Sequence, residues 1–104
     1  MNEIKSEIIK FQKERDWKKF HTPENLAKSI SIEAAELLEH FQWGKEYDVD
    51  DVAEELADVL IYSLYMADAL DLDVKEIILD KMKKNAMKYP VEKSRGNATK
   101  YTEF

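Results

Sequence analysis

Two pairs of carboxylates stand in stretches of the sequence that are otherwise largely apolar. Glu33 and Glu36 lie three positions apart among isoleucine, alanine and leucine residues, and Glu55 and Asp58 repeat this spacing further along the chain. Residues three apart share one face of a helix, so each pair places two like charges side by side. Burial among apolar neighbours adds a desolvation cost. We therefore expect a positive group between the two pairs if their segments pack together.

The types of these side chains indicate which cation they could bind. Carboxylate oxygens alone favour Mg²⁺, Mn²⁺ or Ca²⁺, whereas zinc and copper sites usually include His or Cys. The sequence has no cysteine, and it lacks the loop pattern of an EF-hand. A di-iron bundle needs a Glu three residues before a His, which neither His21 nor His40 has, so the sequence does not predict one. Both histidines are expected to be structural or outer-shell groups. Since Mg²⁺ often joins carboxylates to phosphates, a phosphorylated ligand is expected.

Four helices are predicted to position these residues in an all-α fold, a four-helix bundle core with an extended C-terminal arm. Thr22 with Pro23 can begin the second helix and Gly44 can end it, while Asp50 can cap the third. Asp73 and Glu76 have capping-box spacing at the start of the fourth. The predicted helices cover residues 3–16, 23–43, 51–70 and 73–87, and residues 91–104 form the arm.

Length and composition exclude several classes of protein. The 104 residues fit one domain, 1–104, and 44% hydrophobic with 37% charged residues indicates a soluble globular chain with no membrane partner. Two glycines cannot build a glycine-rich phosphate loop. A net charge of −6 makes long nucleic acid an unfavourable partner. The first residues lack the pattern of a signal peptide, so a cytoplasmic location is expected.

The apolar residues of the third predicted helix cover almost every direction around its axis. At about 100° per residue, such a helix is expected to be buried on all sides. A chain of this size offers few partners for it, so a second copy is expected to cover the remainder. The sequence thus predicts a homo-oligomer.

The ordered motifs resemble those of one known family. Glu33-Ala-Ala-Glu36 followed by Glu55-Leu-Ala-Asp58 is similar to the ExxE…ExxD signature of the MazG-like, all-α nucleoside triphosphate pyrophosphohydrolases. Further blocks resemble the dCTP pyrophosphatase group within that superfamily, and they lie at residues 15–21, 39–43, 54–62, 81–82 with Asn85, 89–90 and 100–103. Two positions depart from some relatives, because Ile32 replaces a further Glu and Ile8 replaces a base-contacting His.

The resemblance implies an activity and a role for each matching residue. It implies Mg²⁺-dependent hydrolysis of a nucleoside triphosphate, dCTP or a modified cytosine analogue, to the monophosphate and pyrophosphate, by a dimer or tetramer. The implied metal ligands and catalytic residues are Glu33, Glu36, Glu55 and Asp58, one glutamate also orienting or deprotonating the attacking water. The implied substrate contacts are Trp17 and Trp43 as walls for the base, Tyr62 at a sugar or phosphate oxygen, and Lys81, Asn85, Arg95 and Lys100 at the phosphates.

The alternative hypothesis is a protein of the same fold without catalysis, either a helical nucleotide-binding protein or an antitoxin-like regulator. Loss of one of the four acids would favour it, whereas all four are present.

Overall fold

The computed structural model describes residues 2–103, and within them it is built from helices. The α-helices are α1 (Asn2–Glu14), α2 (Pro23–Glu39), α3 (Val49–Ala69), α4 (Val74–Lys88) and α5 (Val91–Ser94), and short 3₁₀ helices occupy Lys18–Phe20 and Tyr101–Glu103. The described residues contain no strand, so the predicted all-α class is confirmed. None of these helices is long and apolar enough to cross a membrane.

The chain divides into two compact units, Met1–Leu72 and Asp73–Phe104. The first contains α1, α2 and α3, with α3 packed against both α2 and α1. Its centre includes Leu26, which is fully buried, and Tyr65, whose hydroxyl donates a hydrogen bond of 2.8 Å to the Ile8 carbonyl of α1. The second unit contains α4, α5 and the last 3₁₀ helix. The four-helix core and the single domain stay predictions.

Side-chain caps begin the helices largely as the sequence predicts. Thr22 accepts from the Asn25 amide at 3.2 Å and Pro23 is the first residue of α2, while Asp73 accepts from the Glu76 amide at 2.9 Å. The predicted N-cap of α3 is wrong by two residues. Asp48, rather than Asp50, caps α3, because its carboxylate accepts the amides of Asp50 and Asp51 at 2.8 and 3.3 Å.

Helix α1 ends in a Schellman motif that returns the chain towards the helix. Asp16 adopts the left-handed conformation, with φ of 51°, and its amide donates to the Lys13 carbonyl at 3.1 Å. The Trp17 amide donates to the Gln12 carbonyl at 3.0 Å. Asp71 has the same conformation after α3, with φ of 55°. Aspartate takes the place usually held by glycine here, which suits a chain with only two glycines.

Further predicted boundaries need correction. Helix α1 ends at Glu14 rather than Asp16, because Asp16 adopts the left-handed conformation. Helix α2 ends at Glu39 rather than Trp43, because the amides of Phe41 and Gln42 bond three residues back as turns at 3.0 and 3.2 Å, before Gly44 with φ of 112°. The predicted extended arm is also partly helical, since it contains α5 and the last 3₁₀ helix. Phe104, the last residue of that arm, lies outside the described residues.

Helix α3 is less buried in the single chain than its apolar pattern predicts. Leu56 and Leu60 are 46% and 54% exposed, and only Tyr65 and Ala67 of this helix are buried. The physical reason is geometric, because a helix that is apolar in nearly every direction needs neighbours on more sides than α1 and α2 cover. The expectation of a fully buried third helix is therefore not met within one chain.

Candidate active site

Helices α2 and α3 bring the predicted acids together. Three carboxylate oxygens lie within 4.8 Å of one another, one from each of Glu33, Glu55 and Asp58. Glu36 interacts with Glu33 through a side-chain hydrogen bond and through its charge. The helices run antiparallel, because His40 at the end of α2 approaches Glu55, 3.9 Å between Nε2 and Oε1, whereas Glu33 approaches Asp58. The i, i+3 spacing on each helix thus produces one four-carboxylate group, called the acid cluster below.

The electrostatics of the acid cluster favour a cation. The pKa of Glu33 is raised to about 7. The largest cause is the hydrogen bond to Glu36, followed by burial and by the charges of Glu36 and Asp58. The Oε2 atoms of Glu33 and Glu55 are buried and accept no hydrogen bond from the described residues. Buried carboxylate oxygens normally have such partners, and a hard divalent cation prefers oxygen ligands of this kind. The residues present therefore fit the predicted metal, Mg²⁺ or Mn²⁺.

A cavity of about 440 Å³ adjoins the acid cluster. Helices α1 and α3, together with the segment between α1 and α2, line it with Glu7, Ile8, Phe11, Trp17, His21, Asp58, Ile61, Tyr62 and Tyr65. Trp17 meets Phe11 edge to face with ring centroids 5.8 Å apart, and the Arg15 guanidinium lies 3.5 Å from the Phe11 ring centroid. Asp58 belongs to both the cavity and the acid cluster. The arrangement can therefore hold a flat aromatic ligand next to bound metal and phosphate.

Tyr62 is the neutral hydrogen-bonding group between these two features. It lines the cavity, one turn after Asp58. Burial, followed by the charges of Glu33, Asp58 and Glu36, raises the pKa of its phenol. The hydroxyl therefore keeps its proton at neutral pH and can donate it in a hydrogen bond to a sugar or phosphate oxygen.

The remaining predicted substrate contacts are Trp43 and four residues of the second unit. Trp43 follows α2, is 88% exposed and does not line the cavity. Four more lie in the second unit, Lys81 and Asn85 on α4, Arg95 directly after α5 and Lys100 before the last 3₁₀ helix. Their roles at the base and the phosphates stay predictions.

Sequence reasoning missed several cavity residues. Phe11 and Tyr65 match the periodicity of core positions, and His21 was expected to be structural. For Phe11 and His21 the available signal is the density of aromatic residues at residues 11–21, because aromatic side chains commonly line ligand sites. No local signal separates Tyr65 from a core residue.

Comparison with known proteins identifies the family of the chain. The model of the MazG-like family matches residues 28–104. The chain belongs to the MazG-like family. Among similar proteins, dCTP pyrophosphatase 1 of Mus musculus is 37% identical and that of Homo sapiens 34%, each alignment covering all of this chain and 67% of the relative. A pyrophosphatase crystal structure from Archaeoglobus fulgidus has a TM-score of 0.79 and 45% identity, covering 86% of this chain and 92% of that one.

These matches confirm the prediction of a MazG-like enzyme related to dCTP pyrophosphatases. In the MazG-like chain the matched region contains both carboxylate pairs. The family match and the acid cluster concern the same four side chains, the first in the sequence and the second in space.

The pKa of Glu33 predicts how the metal-free protein responds to pH. Between the ordinary value of 4.5 and about 7, the native state binds more protons at Glu33 than the unfolded state does. The free energy of unfolding contributed by Glu33 therefore decreases as pH rises through this window and is constant above it. Relative to Glu33→Gln, the wild-type melting temperature measured with a chelator should fall by a few degrees across the window. A parallel pH dependence in both proteins would contradict the coupling of Glu33 to its neighbours.

Proposed function

We propose that this MazG-like chain hydrolyses nucleoside triphosphates between the α- and β-phosphates, releasing a monophosphate and pyrophosphate with Mg²⁺ or Mn²⁺. The favoured substrate is dCTP or a modified cytosine analogue, so the biological role is removal of unwanted nucleotides from the pool. One observation carries the proposal, namely that Asp58 is shared by the acid cluster and the aromatic cavity. A base in the cavity would place its phosphates beside the carboxylates.

The chemistry of the proposed reaction matches the acid cluster. Metal held by Glu33, Glu36, Glu55 and Asp58 would neutralise charge on the phosphate oxygens. The chain's own residues then have to hold the substrate and accept a proton from the attacking water. One of the glutamates suits the second task, because a carboxylate oxygen can orient the attacking water and accept its proton.

The cavity supports a nucleoside as the ligand. Its volume lies in the range of about 300–1,000 Å³ that small-molecule sites occupy. Trp17 provides an aromatic edge and face for a base, while Tyr62 can hydrogen bond to the sugar or a phosphate. The preference for cytosine rests on relatives named dCTP pyrophosphatase 1.

The phosphate contacts and the assembly belong to the same proposal. Lys81, Asn85, Arg95 and Lys100 would bind the triphosphate, and residues 73–104 carry more basic than acidic side chains, unlike the rest of the chain. The exposed leucines of α3 support a homo-oligomer, either a dimer or a tetramer, because two copies could cover them.

The products of the reaction test the proposed function. With Mg²⁺ and a panel of common and modified nucleotides, we expect conversion of a deoxynucleoside triphosphate, dCTP or a modified cytosine analogue, into monophosphate and pyrophosphate. Chromatography of the nucleotide product and an assay for pyrophosphate give the cleavage position. Release of diphosphate and orthophosphate would contradict cleavage between the α- and β-phosphates. Binding without turnover of any nucleotide would favour the non-catalytic or antitoxin-like alternative.

A further inference from the structure

Gln12 is a buried polar residue that the proposed reaction does not use. Its side chain is 2% exposed, on a helix whose other described residues are all more accessible. The amide nitrogen lies 2.7 Å from Nδ1 of His21, and the amide oxygen is buried without a hydrogen-bond partner in the described residues. An amide held in this way on a solvent-accessible helix requires a reason other than packing.

The contact determines which nitrogen of His21 carries the proton. With the amide nitrogen facing Nδ1, Gln12 donates and Nδ1 accepts, so the neutral ring carries its proton on Nε2. Turning the amide over would place its two N–H donors where the oxygen now lies without a partner. The present orientation satisfies one N–H group and leaves the oxygen and the second N–H group without a partner in the described residues, whereas the flipped amide would leave both N–H groups without one. Buried N–H groups without an acceptor are rarer than under-satisfied carbonyl oxygens, so the donating orientation of Gln12 is favoured.

The surroundings of His21 maintain this state. Burial lowers the pKa of His21, which favours the neutral ring. The ring packs against Tyr65 with centroids 5.0 Å apart and meets Tyr62 at 6.2 Å. His21 lines the cavity, and with Nδ1 occupied by Gln12, Nε2 is the ring nitrogen left for a ligand.

We propose that Gln12 is a positioning residue that fixes His21 in the Nε2–H tautomer, so that the cavity presents a hydrogen-bond donor to its ligand. This inference rests on the proposed function for the identity of the ligand, a nucleobase. The group recognised is an acceptor on the edge of the base, such as a carbonyl oxygen or an unprotonated ring nitrogen. Gln12 contacts His21 with its amide and Trp17 with its backbone carbonyl, so one residue positions both a donor and an aromatic wall.

The tautomer can be measured directly by ¹⁵N NMR of histidine-labelled protein, with no ligand present. The wild-type His21 signals should show a proton on Nε2 and a bare Nδ1. In Gln12→Glu the carboxylate can only accept, so Nδ1 should carry a proton, either in the neutral ring or in an imidazolium that the carboxylate stabilises, whereas Gln12→Met should give a mixture of tautomers. A proton on Nδ1 in the wild type, or no change in either variant, would overturn the proposal.

A double-mutant cycle tests whether Gln12 acts through His21. With deoxycytidine monophosphate as the probe, Gln12→Met should weaken binding about 2- to 12-fold, the value of one neutral hydrogen bond. In a His21→Phe background the same substitution should have no further effect. Additive losses, or an equal loss of Mg²⁺-dependent pyrophosphate binding, would show that Gln12 only supports the fold and would overturn the proposal.

The two experiments separate this inference from the proposed function. If the wild-type protein converts no nucleotide but the tautomer changes in Gln12→Glu, the proposed reaction fails and the control of His21 by Gln12 stands. If nucleotides are converted and the tautomer does not respond to substitution of Gln12, the proposed reaction stands and the control of His21 by Gln12 fails.

Discussion

Replacement of Asp58 by asparagine is expected to lower kcat/KM for the favoured nucleotide by about 100- to 1,000-fold. The substitution removes one charge from the acid cluster, and a bound metal contributes several kcal/mol of charge stabilisation to such a reaction. The side chain keeps its size, so the fold should be retained. Steady-state kinetics with saturating Mg²⁺ measure the loss, and Asp50→Asn, in the exposed first turn of the same helix, provides the matched control.

The same variant should lose the response of the protein to metal. In the wild type, Mg²⁺ at about 100 times its dissociation constant should stabilise the fold by about 2.7 kcal/mol, because it binds the native state alone. Asp58→Asn should show a much smaller increase in melting temperature, while Asp50→Asn should behave as the wild type. Unchanged turnover in Asp58→Asn would remove Asp58 from the site, whatever its effect on melting.

The acid cluster could be predicted from sequence because its signal is local. Each carboxylate pair, Glu33 with Glu36 and Glu55 with Asp58, has the three-residue spacing that places two side chains on one helix face. Their apolar neighbours mark these acids as unusual. A connection as short as residues 40–48 between two packed helices then leaves an antiparallel arrangement as the simplest one. Periodicity and loop length together were therefore sufficient to bring the pairs together.

The helix ends were harder to predict because neighbouring residues compete for the same role. Asp48, Asp50 and Asp51 all have side chains that can cap α3, and only the backbone conformation of the loop decides that Asp48 does so. Residues 40–43 carry a helical pattern, yet the amides of residues 40–42 bond to carbonyls only three residues back. Such boundaries depend on small energy differences that composition does not report.

The cavity could not be derived from sequence because its walls come from separate segments. Tyr65 of α3 reaches α1, and His21 meets both Gln12 and Tyr62, so these contacts depend on how α1, α3 and the segment between α1 and α2 pack. The same dependence affects Trp43. The family resemblance predicts that Trp43 forms a wall for the base, but the turn after α2 leaves it exposed in the single chain.

Trp17→Ala is expected to weaken nucleotide binding about 5- to 150-fold. Stacking of a base on an aromatic side chain contributes roughly 1–3 kcal/mol in single-stranded nucleic-acid complexes, and Trp17 is an exposed indole on the cavity wall. Pyrophosphate has no base, so its Mg²⁺-dependent affinity should change little. Trp17→Phe retains a ring and should give an intermediate loss. Calorimetric titration with the nucleotide and with pyrophosphate measures both affinities.

Equal loss of affinity for both ligands in Trp17→Ala, together with a lower melting temperature, would show that the indole supports the fold and does not contact the base.

Trp43→Ala tests whether another copy of the chain contributes to the base site, through the same comparison of nucleotide and pyrophosphate affinities. Because Trp43 lines no part of the cavity in the single chain, unchanged binding in that variant would remove it from the predicted base site. A selective loss of nucleotide affinity would instead require the indole to reach a base bound by another copy of the chain, which would link the exposed apolar residues to the active site.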